Sequence, residues 1–120
     1  MPLPPEYLID VAEVIRRASD DGPAWSINSE QLNVNLVRLS SGATIAEHIN
    51  REVDVLLVVF EGAGELVVEG ETTRLAAGRA ALIPVGRARA LRCTSGPLVY
   101  LTCHRRRAGL MPTFPDEARR

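Results

Sequence analysis

Between Glu6 and Ser19, the apolar residues Leu8, Ile9, Val11, Ala12, Val14, Ile15 and Ala18 recur at the spacing of one helical face, which predicts a single short helix. Asp10 is placed to cap it, and Asp20-Asp21-Gly22-Pro23 ends the pattern. From Leu32 the period falls to two. Leu32, Val34 and Leu36 alternate with Asn33 and Asn35, and then Val37 and Leu39 alternate with Arg38 and Ser40; this change of parity predicts a strand with a bulge. Strand-like runs continue to residue 104. They are separated at Ser41-Gly42, Asn50 to Glu52, Glu61 to Gly64, Glu69-Gly70, Ala77-Gly78, Pro84-Val85-Gly86 and Ser95-Gly96-Pro97. Each break has a steric reason, since Gly admits positive φ and Pro presets φ near about −65°.

Short strands of about five residues, spaced by turns at intervals of ~8–12 residues, describe an all-β sandwich or small barrel. No βαβ alternation interrupts them. Val67 to Thr72 reads as a tight hairpin with Gly70 where a two-residue turn wants positive φ. The pattern divides the chain into an N-terminal extension with the helix over residues 1–31, a β domain over 32–104 and a C-terminal extension or tail over 105–120. Arg105-Arg106-Arg107, opening that tail, reads as a solvated strand end rather than an anion site. Val55 to Phe60 is apolar on both faces, more than one barrel interior needs. Its outer face is therefore expected under the N-terminal helix or a second subunit, and a homodimer is predicted.

Composition narrows the function more than the fold. A formal net charge of −1 gives no electrostatic reason to expect nucleic acid or an anionic membrane as partner, and aromatic residues at 4% are too few for base stacking. All 14 basic residues are Arg, so mechanisms that need a lysine amine are excluded. Two cysteines, Cys93 and Cys103, are too few for a disulfide framework, and both fall on apolar strand faces, where Cys behaves as a small hydrophobe. With no apolar run near the ~18 residues of a membrane span and no basic leader, the chain reads as cytoplasmic.

Gly42-Ala43-Thr44-Ile45-Ala46-Glu47-His48-Ile49-Asn50, followed by Glu61-Gly62-Ala63-Gly64-Glu65, resembles the first motif of the cupin family: a glycine, five residues, His-x-His, a spacer, a Glu and a glycine turn. Gly78-Arg79-Ala80-Ala81-Leu82-Ile83-Pro84-Val85-Gly86-Arg87-Ala88-Arg89 is similar to the second: a glycine, five residues, Pro-x-Gly, two residues and His. The resemblance implies a cupin jelly-roll barrel, a double-stranded β-helix of the RmlC-like type, with its site in the barrel interior and a short N-terminal helix outside it. It also implies where a metal would be held, by two His and a Glu from the first motif and a His from the second. Here His48 fills the first His slot, Asn50 the second, and Arg89 the slot of the second-motif His. A four-residue spacer puts Val55 in the Glu slot, and a three-residue spacer puts Asp54 there.

Parity along its strand turns Arg89 inward with Leu91 and Cys93. A guanidinium repels a cation, and when buried it wants an anionic partner, which would be Asp54 or a ligand. His48 can carry a proton in either direction at neutral pH, or simply pack as a former ligand. Asn50 can orient a ligand carbonyl or close the turn before Arg51. Tyr100, Thr102 and His104 alternate with the more apolar Val99, Leu101 and Cys103, so His104 is expected to point outward. Trp25 precedes the first strand and reads as a barrel lid or dimer contact.

The expected function is binding of a small anionic or carbonyl-bearing molecule without the usual metal centre. Catalytic roles would fall to His48 and Asp54 and substrate binding to Asn50 and Arg89, with proton-transfer isomerisation or cyclisation as the reaction. Two alternatives use the same pocket. One is a non-catalytic binding or sensor domain, and the other a metal-dependent oxygenase or isomerase in which a divalent transition metal at His48 recruits Asp54 with His104 or Glu47.

Overall fold

The computed structural model describes residues 2–106. Of the C-terminal extension or tail expected over 105–120, Arg105 ends a strand and residues 107–120 lie outside the described residues. The predicted helix is shorter than its apolar pattern. A 3-10 turn over Pro5–Tyr7 comes first, and the helix α1 covers only Val11–Arg17. Asp10 stays extended and its side chain accepts from the Glu13 backbone N–H, as a cap must, so the helix cannot begin before it.

Seven strands follow: β1 (Gly22–Asn28), β2 (Leu32–Leu39), β3 (Thr44–Ile49), β4 (Val55–Val68), β5 (Glu71–Ala76), β6 (Ala80–Ile83) and β7 (Ala88–Arg105). All pairings are antiparallel. Residues 22–28, expected outside the barrel, form an additional strand against β2. Two expected breaks, at Glu61 to Gly64 and at Ser95-Gly96-Pro97, are bends inside the long strands β4 and β7.

Those bends build the barrel. The first half of β4 pairs with β6 and with the second half of β7, while its second half pairs with β5 and with the first half of β7. One arm of the sheet thus runs β1-β2-β7-β4-β6 and the other β3-β7-β4-β5. Gly62 makes the turn possible. It has φ +81, and a Cβ there would lie 2.2 Å from the Pro97 carbonyl oxygen, so only glycine lets the two bends touch. The arms close on one core in which Val37, Leu39, Leu57, Val59, Ile83, Leu98 and Tyr100 meet Leu66, Leu75, Leu91 and Cys93. This is the jelly-roll barrel that the motifs implied.

The change of parity in β2 coincides with a register shift against β1, where Pro23 pairs with Val37 and Trp25 with Leu36, so the extra residue lies on β1 and not on β2. β2 and β7 pair without slippage from Leu32↔Arg105 to Leu39↔Leu98. Leu36 and Val37 are both buried, at 0% and 5% exposure, because the strand is covered on both faces at that point. The helix α1 packs against β1, at the far edge of its arm from β6. Leu56 and Leu82, a cross-strand pair on the outer face of β4 and β6, stay exposed together with Phe60. No helix of the described residues is long and apolar enough to cross a membrane.

Candidate functional site

Arg89 and His48 stand directly opposite each other on β7 and β3, so their side chains leave the sheet side by side. The Arg89 Nε–H donates to His48 Nε2 at 3.0 Å. His48 Nδ1 lies 2.9 Å from the Ala46 carbonyl oxygen. A carbonyl can only accept and a guanidinium can only donate, so Nδ1 carries the proton and Nε2 offers its lone pair: the ring is the neutral Nδ1–H tautomer. Arg89 is 5% exposed and His48 is half-buried.

A clamp at the neighbouring residue sets where Arg89 starts. Glu69 and Gly70 both have positive φ, 49 and 81, the turn that a two-residue hairpin of this twist requires. From that turn the Glu69 backbone N–H donates to the Ala88 carbonyl at 2.8 Å, and the Glu69 carboxylate accepts from the Ala88 N–H. The hairpin thus grips the residue before Arg89 on both of its hydrogen-bonding groups.

The other two expected site residues are structural. Asn50 is buried, and its Oδ1 accepts from the backbone N–H groups of Glu52 at 2.9 Å and Val53 at 3.2 Å. Its backbone carbonyl accepts from Gly86 at 2.8 Å. Asn50 therefore closes the turn, the second of its two readings. Asp54 is exposed, and its Oδ1 accepts from the Val85 N–H at 2.8 Å, pinning the Pro84-Val85-Gly86 turn. The expected pairing of Asp54 with Arg89 does not form, since Asp54 points out of the barrel. Val55, 1% exposed, points in and takes the interior position that the motif gives to Glu.

A cavity of about 40 Å³ lies against this pair, lined by His48, Arg89, Tyr100 and Thr102 among the apolar side chains of Ile45, Val55, Leu57, Leu66, Ile83 and Leu91, with Ala90 at its wall. None of these residues carries a carboxylate. Tyr100, Thr102 and His104 were expected to face outward and instead face inward, at 5%, 6% and 3% exposure. Their side of β7 matches Val37, Asn35 and Asn33 on β2, the side that holds the core. The more apolar set, Val99, Leu101 and Cys103, occupies the other face, which is also largely covered. His104 Nδ1 donates to the Arg105 carbonyl at 2.8 Å. Trp25 lies in β1 opposite Leu36 and does not line the cavity, and both cysteines are free thiols. Arg105 and Arg106 are exposed at the strand end, donating to the Glu52 and Ser29 carbonyls.

The bent pair of long strands, the two glycine-led motifs and the inward site all point to one family. A family model described as the cupin domain matches residues 35–104, more than half of the chain. This chain is a cupin. A Bacillus halodurans protein of solved structure shares the fold with a TM-score of 0.71 at 20% identity, over 88% of this chain and 85% of that one. KdgF from Halomonas sp. matches with a TM-score of 0.64 at 23% identity, over 68% of this chain and 74% of that one. A salicylate 1,2-dioxygenase from Pseudaminobacter salicylatoxidans matches with a TM-score of 0.57 at 28% identity, over 62% of this chain and 21% of that one. No curated protein matches the chain.

Cupins commonly bind a metal, and the donors at the motif positions decide whether this one is built to. They do not fit. Val55 has no lone pair, the Asn50 oxygen is taken by two backbone N–H groups, Arg89 is cationic, and the free lone pair of His48 already accepts from Arg89. Among the described residues no group of three or more His, Cys, Asp or Glu side chains comes together.

Proposed function

We propose that this cupin binds a small anionic or carbonyl-bearing molecule in the barrel without a metal centre, with Arg89 as the anion contact and His48 as the proton carrier. The observation that carries this reading is the placement of a guanidinium, charged at any physiological pH, in the barrel interior, against a cavity whose wall also offers an imidazole and two hydroxyls. A metal would be repelled by the same charge. About 40 Å³, against ~10–15 Å³ for one water by the same kind of measure, admits only a few non-hydrogen atoms, which suits the carboxylate end of a small acid.

The chemistry these groups suit is proton transfer next to a carbonyl, leading to isomerisation or cyclisation. In that reaction a ligand carboxylate would draw the guanidinium onto itself and leave His48 Nε2 to accept a proton. A second reading, binding without chemistry, is supported by one observation: the nitrogen that would act as base is held by Arg89. Titration calorimetry with acetate is the first test. Wild type is expected to bind it, and Arg89→Gln to bind it at least tenfold more weakly with thermal stability retained; equal affinity in the two proteins would overturn the reading. Exchange of pyruvate methyl protons with solvent deuterium, followed by NMR with His48→Ala as control, separates catalysis from binding alone.

The same reading includes a homodimer. The helix packs on β1 and leaves Leu56, Phe60 and Leu82 in water, an apolar surface that suits a second copy. Sedimentation at micromolar concentration is expected to show a dimer, and a single 13.1 kDa species would remove it.

A further inference from the structure

On the inner face of the β1-β2-β7 arm, Ser26, Asn35 and Thr102 lie side by side, Ser26 opposite Asn35 and Asn35 opposite Thr102. Asn35 is 5% exposed and Thr102 6%. The Ser26 hydroxyl donates to Asn35 Oδ1, which uses the amide's acceptor and leaves its donor end turned elsewhere. Among the described residues, Asn35 Nδ2 and Thr102 Oγ1 are buried and have no hydrogen-bond partner. A buried polar group left so costs stability, and two adjacent ones call for an explanation. Thr102 lines the same cavity as Arg89.

We infer that Thr102, with Asn35 as its cross-strand neighbour, forms a second polar pole of the cavity, which receives an oxygen of the ligand other than its carboxylate. This rests on the anion reading of Arg89 and sharpens it into a substrate class: a small carboxylic acid with a hydroxyl or carbonyl oxygen close to the carboxylate, a 2-hydroxy or 2-oxo acid. A threonine hydroxyl donates to such an oxygen or accepts from it. The remaining wall, which includes Val55, Leu57, Ile83 and Leu66, offers nothing to a second charge, so a dianion is disfavoured.

Acetate and glycolate differ by one hydroxyl and serve as the probes. Calorimetry on wild type is expected to give glycolate about fivefold to tenfold tighter binding than acetate, the worth of one well-made hydrogen bond. Thr102→Val, which keeps the shape and removes the hydroxyl, should bring glycolate down to the acetate value while acetate stays within about twofold. Thr102→Ser should restore the preference. Thr102→Ala reports in the same direction if either of those variants folds poorly. Equal affinity of wild type for the two acids, or a Thr102→Val effect of the same size on both, would overturn the second pole and leave the arginine site standing. Failure of wild type to bind either acid would overturn the arginine site and the second pole together.

Discussion

Two groups of polar side chains lie near the positions where cupin motifs carry metal ligands, and they differ in what they hold. On the segment between β3 and β4, Asn50 and Asp54 give their oxygens to backbone N–H groups of Glu52, Val53 and Val85. On β7, Arg89 and Thr102 face the interior from a strand whose own backbone groups are already paired with β2, β3 and β4. A polar residue in a loop must first serve the loop's unpaired backbone. One on a central strand has no such duty, and it is there that side chains remain for a ligand.

Substitutions can break this comparison. The largest stability effect is expected at Asn50. Asn50→Ala removes the acceptor for two N–H groups, one of them buried, and should lower the unfolding free energy by about 1–3 kcal/mol in a urea titration. Its folded fraction should bind acetate as wild type does. Asp54→Ala is the milder case. Val85 is exposed and water can take over its N–H, so the loss is expected at about 0.5 kcal/mol, again with acetate affinity unchanged. If Asp54→Ala abolished binding, Asp54 would belong with the site and the contrast would fail. Smallest is Thr102→Val. Replacing a buried hydroxyl that has no partner among the described residues by a methyl should leave the melting temperature unchanged or raise it slightly, whereas a drop comparable to that of Asn50→Ala would show that the hydroxyl is structural.

The fold was legible because Gly and Pro punctuate it and because both motifs keep their spacing. Glu69-Gly70, Ala77-Gly78 and Pro84-Val85-Gly86 all turn where the residues said they would. Half of the site was legible in the same way, as Arg89 and His48 face each other from the positions that the motifs assign. Asp54 against Val55 was not decided by spacing, because one residue of loop length reverses the face of everything after it. The inward set on β7 was missed for a related reason. Parity reasoning takes the apolar face as the inner one, but Leu98, Val99 and Tyr100 are buried in succession, and where both faces are covered hydrophobicity no longer marks the inside. β1 was missed because Gly22-Pro23-Ala24-Trp25 shows no alternation and begins with residues that usually end an element.

The course of folding follows from the place of β7 in the sheet. Among the described residues β3 pairs with β7 alone, and β2 and β4 reach each other only through it. These contacts span much of the chain, the kind of topology that folds slowly because long loops must close before any contact rewards the closure. Synthesis delivers β7 after every other strand of the described residues. Until then the earlier hairpins have an apolar side and no barrel. β7 also carries Arg89 and Thr102, so the strand that closes the barrel is the one that brings these two groups to His48 on β3.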